Sequence, residues 1–320
     1  SSEEKAQGVP SYSLSEKELV VSGDGFKYVF NRTDGQLTSM VVQDMELLES
    51  PLRLNLWRAP LANELDNWNA SSARSSNWKE GYEYTVATEM YSAGIDRLTH
   101  QPLSFSVSET TEGVHIHIID AELMGKGEKE KKDLYIEGVQ NNGIINHYEY
   151  IINSEGTIEI RHVLKPEGKM PLWFPRIGLT LTVSDALDQV KWYGRGPQEN
   201  YPDRKTGYPT GIYASTVQAM YEPYLMPQDY GLRTDVRWLQ LTTDKGIGLQ
   251  FKMNEWFNFN IYPYSTDNLT KAMYTYQLQK QKGMTLNLDY ATTGVGCTAR
   301  GVFGAYKAMP QEYRRTISIR

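Results

Sequence analysis

Alternation of apolar and polar residues with a period of two runs through this chain from end to end, and almost nothing in it repeats at the helical period. Lys27-Tyr-Val-Phe, Val114-His-Ile-His-Ile, Thr157-Ile-Glu-Ile, Gly178-Leu-Thr-Leu-Thr-Val, Phe257-Asn-Phe-Asn-Ile, Thr285-Leu-Asn-Leu and Arg315-Thr-Ile-Ser-Ile all follow it. An extended backbone sends successive side chains to opposite faces, so each segment reads as a strand with one face in a core and one toward solvent. Turn-forming clusters at Asn31–Gly35, Asn153–Gly156 and Thr243–Gly246 separate flanking strands by hairpin distances, which predicts mainly antiparallel sheets. One short helix is expected over Thr266–Met273, behind the capping residue Ser265. The glycine-broken charge run Gly125–Lys132 reads as a solvated loop. Residues 1–14 read as a linker or the remnant of a preceding domain, and residues 15–320 as one all-β domain, a large sandwich. With no repeat of fixed period, a propeller or solenoid is not expected.

Composition narrows the partners. The chain has 320 residues, 40% of them hydrophobic, enough to bury roughly three-quarters of its unfolded surface. Its 33 Lys+Arg against 39 Asp+Glu leave no basic surplus and no arginine-rich run, so nucleic acid is not an expected partner. No run of 18 apolar residues occurs, so no membrane partner is expected. The polar start, Ser1 to Pro10, lacks both an apolar signal core and an initiator methionine, which fits a piece of a longer protein and leaves its compartment open. A single cysteine, Cys297, gives neither an internal disulfide nor a zinc pattern. The 22 tyrosines and 7 tryptophans suit β-sheet cores, and also clefts that present rings to pyranose faces.

Chemistry-bearing patterns are sparse. Glycosidases set two carboxylates across the scissile bond, and the acidic residues here are scattered, so no catalytic residue is assigned in this chain. The loop Gly194-Arg-Gly-Pro-Gln-Glu-Asn-Tyr-Pro-Asp-Arg204 carries Arg195, Glu199, Asn200, Asp203 and Arg204, more polarity than a turn needs. It reads either as a scaffold locked by arginine–carboxylate pairs, with Glu199 or Asp203 accepting from an arginine, or as a direct sugar contact. His115 and His117 lie two apart on a predicted strand and share a face, as a metal pair or an acid–base site would, but no third ligand is evident nearby and no metal is assigned. His100, His147 and His162 stand alone. Nucleophile-elbow, phosphate-loop and dinucleotide motifs do not occur.

The stretch Trp192–Arg204 resembles the signature of the β-galactosidase small chain, the C-terminal domain of glycoside hydrolase family 2 β-galactosidases. Further matches follow in order: Phe30-Asn-Arg-Thr-Asp-Gly35, Arg58-Ala-Pro-Leu61 with Asn63, Pro175–Gly178, Tyr221–Pro227, Gly231–Arg233 and Leu286–Asp289, spanning about Val9 to Arg320. The resemblance implies a galactose-mutarotase-like supersandwich docked on the catalytic barrel of the same polypeptide, with both catalytic glutamates, and any Mg or Na cofactor, in that barrel. It implies a carbohydrate partner, completion of the acceptor side of the active site by this domain, and room for a homo-oligomer built through the parent. Two segments then reach the active site: the loop after Arg58-Ala-Pro, and a late loop that carries a sugar-stacking tryptophan in the family. This chain departs from both. Ala62-Asn63-Glu64 stands where the family has Asp-Asn-Asp, and Cys297-Thr-Ala-Arg-Gly-Val302 lacks the tryptophan, leaving Arg300 as the long side chain there. The expected substrate-binding residues are therefore Asn63, Glu64, Arg195, Glu199, Asn200, Arg204 and Arg300. Alternatives are a stand-alone aldose 1-epimerase-like protein, which needs a His/Glu pair near Arg176 or Glu199, or a carbohydrate-binding module, which needs an exposed aromatic platform.

Overall fold

Hydrogen-bonded strands pair antiparallel throughout the computed structural model, which describes residues 9–65, 90, 93–125, 142–296 and 301–320. The first sheet is a meander of β1 (Ser11–Leu14), β2 (Glu18–Gly23), β3 (Phe26–Asn31), β4 (Gln36–Val42) and β5 (Met45–Glu46). Among the described residues the second has twelve strands: β6 (Leu48–Asn55), β7 (Thr99–Thr110), β8 (Gly113–Leu123), β9 (Gly143–Ile152), β10 (Ile158–Glu167), β11 (Arg176–Val183), β12 (Gln189–Arg195), β13 (Thr210–Thr216), β14 (Arg233–Thr242), β15 (Gly248–Tyr262), β16 (Met284–Thr292) and β17 (Tyr313–Ile319). Its main path runs β13-β12-β14-β15-β17-β10-β9-β8-β7, and the long β15 also pairs β16, from which β11 and β6 branch.

All three predicted hairpin turns join neighbouring strands, β3 to β4, β9 to β10 and β14 to β15. Asn31 and Asn153 act as local acceptors in them: Thr33 N–H donates to Asn31 Oδ1 at 2.7 Å, and Thr157 N–H to Asn153 Oδ1 at 3.0 Å. The predicted helix is present as a short α-helix over Thr266–Lys271, where Asn268 N–H donates to Ser265 Oγ at 3.0 Å. Ser11–Leu14, inside the stretch expected to be linker, instead forms edge strand β1; all four residues are exposed, so no alternation could announce it. Of the charge run Gly125–Lys132, residues 126–132 lie outside the described residues. No helix among the described residues is long and apolar enough to cross a membrane.

The apolar faces of both sheets meet in one core. Leu19, Val21, Tyr28 and Phe30 of the first sheet join Ile116, Tyr150, Leu179, Leu181, Leu286, Leu288 and Phe259 of the second. Phe30 meets Tyr150 edge-on at 5.1 Å, and Tyr28 O–H donates to Gly156 carbonyl at 2.6 Å, so a polar tip is satisfied where two layers join. Each buried aliphatic or aromatic side chain contributes about 1.5–3 kcal/mol.

One expectation is corrected by the central strands. Alternation in β11, β15 and β16 predicted a solvent-facing polar side, yet Arg176, Asn260, Asn287 and Asp289 on that side are buried as completely as the leucines opposite them. The segment after β13 folds back over this face and inserts Asp229 and Tyr230, with Tyr221, Tyr262 and Tyr264 packed around them. A long-range cover of this kind leaves the period-two pattern unchanged, so the pattern alone could not distinguish a wet polar face from a dry one.

Candidate functional site

Buried charge organises the polar face. Arg176 at the start of β11 donates from Nε to Asp289 at 3.1 Å and from Nη1 and Nη2 to Asp229 at 3.3 and 3.4 Å. Asn260 Nδ2 donates to both Asp229 oxygens, Tyr262 O–H donates to Asp229 Oδ1 at 3.1 Å, and Asn287 Nδ2 donates to Asn260 Oδ1 at 2.8 Å. Asn55 Nδ2 extends the chain to Asn287 at 3.1 Å. Burial pushes the Asp289 carboxyl up; Arg176 and Thr292 oppose that shift. For Arg176 burial favours the neutral form, but the two aspartates outweigh it and hold the guanidinium charged.

A second arginine joins this layer to the loops at one edge. Arg58, with 0% of its surface exposed, donates to Glu64 at 2.6 Å and to the carbonyls of Thr293 at 2.6 Å and Gly294 at 3.1 Å. Glu64 Oε2 in turn accepts from Leu61 N–H at 2.9 Å, while Asn63 Nδ2 donates to Val295 carbonyl at 3.2 Å. From the other side Asp203 accepts from Val295 N–H at 2.9 Å and Gly296 N–H at 2.7 Å, and Arg204 Nη2 donates to Gly296 carbonyl at 2.6 Å. A Cβ at Gly294 would sit 2.4 Å from the Asp203 carboxylate, so this close approach requires glycine. Three segments distant in sequence, 61–65, 199–204 and 294–296, are thereby laced together.

The remaining signature residues bond within the protein. Arg195 Nε donates to Asp235 at 2.6 Å and its Nη1 to the carbonyls of Lys205 and Tyr208 at 3.0 Å each. Glu199 accepts from Tyr224 O–H, from Gly231 N–H at 2.8 Å and from Tyr201 O–H at 3.3 Å. Asn200 Oδ1 accepts from Thr234 N–H at 3.2 Å, and its Nδ2 donates to Gln198 carbonyl at 3.1 Å. The expected arginine–carboxylate lock is present with a different partner: Asp235, forty positions away, pairs with Arg195, whereas Glu199 takes tyrosines and a backbone amide, and Asp203 takes backbone amides. Nothing local in sequence marks Asp235, because sheet register on β14 brings it to the loop. Arg233 stacks at 5.4 Å from the Trp192 ring and donates to the carbonyls of Pro197 and Gly231, and burial lowers its pKa to about 10. Arg300 and Cys297 lie outside the described residues. Just beyond them Phe303 presents a ring that is 66% exposed, an aromatic one position past the loop in which the missing tryptophan was sought.

On the same polar side, a cavity of about 960 Å³ is bounded by Arg53, Asn55, Trp57, Asp96, Thr180 and Thr270, among others. Trp57 Nε1–H is held by Thr270 Oγ1 at 3.2 Å, so its ring is a wall and not a free platform. Burial raises the Asp96 pKa to about 6.

His162 and His100 are placed structurally. His162, stacked 4.2 Å over Tyr148, accepts from Tyr290 O–H at Nδ1 (2.6 Å) and donates from Nε2 to Asn146 Oδ1 (2.9 Å); burial lowers its pKa to about 3 and keeps it neutral. His100 bonds Glu122 Oε1 at 2.8 Å and the Asp34 carbonyl at 2.6 Å, both acceptors, so both ring nitrogens donate and the ring is an imidazolium clamping the β3–β4 turn to β7. The Glu122 bond, against an opposing effect of burial, raises its pKa to about 9. A folded pKa above the unfolded value near 6.5 means the contribution is complete below that pH and is lost as pH rises through about 9. The stability difference between wild type and His100→Gln is therefore expected to shrink by about 1–2 kcal/mol between those limits in urea titrations; a difference independent of pH would refute the imidazolium. Neither Arg176 nor Glu199 has a histidine among its hydrogen-bond partners, so the His/Glu pair required of an epimerase is not found beside them among the described residues.

An inward-folded polar layer laced to loops at one edge defines this chain as an antiparallel all-β supersandwich domain. The family model described as β-galactosidase small chain matches residues 22–319, and the chain belongs to that family. It is 32% identical over 282 residues to the β-galactosidase of Priestia megaterium, covering 88% of this chain and 24% of that protein. It is 27% identical to the β-galactosidase of Pseudoalteromonas haloplanktis (91% and 25% covered) and 28% identical to that of Vibrio cholerae (90% and 25% covered). The chain thus spans about a quarter of the length of the curated relatives it matches. Solved structures similar to it include a putative aldose 1-epimerase of Escherichia coli K12, at 7% identity and a TM-score of 0.43, covering 94% of this chain and 97% of the other. Another is galactose 1-epimerase of Lactobacillus acidophilus, at 9% identity and a TM-score of 0.42, covering 98% and 97%.

Proposed function

We propose that this chain is the non-catalytic C-terminal part of a family 2 β-galactosidase and builds the acceptor side of an active site whose catalytic carboxylates lie in another domain. The observation that supports this reading is the convergence of segment 61–65, which follows Arg58-Ala-Pro, and segment 294–296, which leads into the late loop, on one scaffold held by Arg58, Asp203 and Arg204. In this reading Glu64, Arg195, Glu199 and Asn200 fix loop shape, and the sugar meets the surface carried by Asn63, Arg300 and Phe303. Phe303 takes the stacking role and Arg300 hydrogen-bonds acceptor hydroxyls or an anionic sugar. Any Mg or Na of the parent belongs to the barrel, and none is assigned to a residue here.

Alone, the chain should not turn over an aryl β-galactoside; turnover abolished by Glu199→Gln would overturn the reading. In the intact polypeptide, Asp203→Ala should lower kcat/KM for a β-galactosyl disaccharide about tenfold, since a lost aromatic or hydrogen-bonded acceptor contact is worth about 1–2 kcal/mol. An aryl galactoside with a good leaving group should lose much less. Equal losses on both substrates would remove the acceptor role.

A further inference from the structure

His115 and His117 share one face of β8, and sheet pairing supplies the third group that their sequence neighbourhood lacks. Glu149 on β9 stands directly opposite His117 and diagonal to His115. Its Oε1 lies 3.1 Å from His115 Nδ1 and 4.0 Å from His117 Nε2, and one donor atom from each of the three residues falls within 4.8 Å of the others. The two imidazole centroids are 6.3 Å apart and the rings 29° from parallel. We propose that His115, His117 and Glu149 form a binding site for one divalent first-row transition ion of the zinc, cobalt or nickel type, clasping β8 to β9.

Donor chemistry selects the ion. Two imidazoles and one carboxylate suit borderline ions with metal–ligand distances near 2.0–2.2 Å, whereas Mg and Ca prefer an all-oxygen shell. Small side-chain rotations open the His115–Glu149 separation and shorten the His117–Glu149 separation to that geometry, and because the His117 side chain is 51% exposed, water completes the coordination. The surrounding groups already hold the ligands. Arg161 Nη1 lies 3.3 Å from Glu149 Oε2, which leaves Oε1 as a single ligand atom. Thr110 Oγ1 lies 2.8 Å from His115 Nε2. Without the ion, His115 Nδ1–H donates to Glu149 and Nε2 accepts from the Thr110 hydroxyl. Metal binding replaces the Nδ1 proton, which moves to Nε2 and donates to Thr110 Oγ1, the outer-shell bond that orients a ligating histidine. Glu112, 3.9 Å from His115 Nε2, and Glu159, paired with Arg161, add negative charge at the rim.

Zinc titration of the purified chain by calorimetry tests the site, with cobalt as a spectroscopic probe. A single ion is expected with a dissociation constant in or below the micromolar range, weakened at least about tenfold in both His117→Ala and Glu149→Gln. His117 is largely exposed, so its variant should melt like wild type in the absence of metal, and metal should raise the melting midpoint of wild type alone. Cobalt should give visible bands of nitrogen and oxygen ligation. Equal affinity in wild type and both variants, no binding at millimolar zinc, or a thiolate-to-cobalt band from Cys297 would each overturn the assignment.

Discussion

Replacing Arg176 by methionine is expected to lower folding stability by about 4 kcal/mol or more, among the largest effects of any single change in this chain. The guanidinium is fully buried and is the shared partner of Asp229 and Asp289, so its removal leaves two carboxylates facing each other without a cation. Methionine matches much of the volume, so the loss reads as electrostatic and not as a cavity. Two further results separate that cause from general damage. Burial already raises the Asp289 pKa, and a raised folded pKa contributes stability at low pH that is lost as pH rises through it. The deficit of the variant should therefore shrink as pH falls from about 7 toward 4, where the raised Asp289 carboxyl takes up its proton. Adding Asp229→Asn and Asp289→Asn should restore part of the stability at neutral pH. Urea midpoints with unchanged slope would measure all three, and a deficit below about 1 kcal/mol, or one that grows in acid, would defeat the account.

Glu64→Gln is the second large effect, expected to cost about 3 kcal/mol. The shape of the side chain is kept and glutamine still accepts from Leu61 N–H, but Arg58 is left as a buried charge facing only the carbonyls of 293 and 294. Attraction to Glu64 is the main influence that offsets burial and keeps Arg58 charged. Because Arg58 ties segment 61–65 to segment 294–296, the same change in the intact polypeptide should impair a disaccharide substrate more than an activated aryl galactoside. An Arg58→Met, Glu64→Gln double variant should recover stability without recovering disaccharide turnover. Recovery of both would show that the pair supports the fold alone.

Particular residues show what could be read in advance. Strands β3, β8, β10, β11 and β16 were legible because Tyr28, Ile116, Ile160, Leu179 and Leu288 alternate with polar neighbours, and the hairpins because asparagine and glycine have local reasons to turn the chain. The helix at Thr266–Lys271 was announced by its cap. Edge strand β1 was not, since exposed backbone pairing needs no apolar alternation. At the site, Arg195, Glu199, Asn200, Asp203 and Arg204 stood out as an excess of polarity in a signature loop, and Asn63 through the resemblance of the loop after Arg58-Ala-Pro. Their partners did not: Asp235 for Arg195, Tyr224 for Glu199 and the amides of 295 and 296 for Asp203 all come from other strands or loops.

The sequence by itself determined the periodicity, hence an antiparallel all-β chain, and the ordered motifs that place it among β-galactosidase small chains. It also determined which side chains carry charge. Tertiary structure alone decided where those charges go. Alternation fixes a face but is blind to what covers it, so only the return of segment 221–232 turned the polar face of β11, β15 and β16 into a dry layer around Arg176. Register between strands far apart in sequence brought Asp235 to Arg195 and Glu149 to His115 and His117, because cross-strand neighbours are set by pairing and not by separation along the chain.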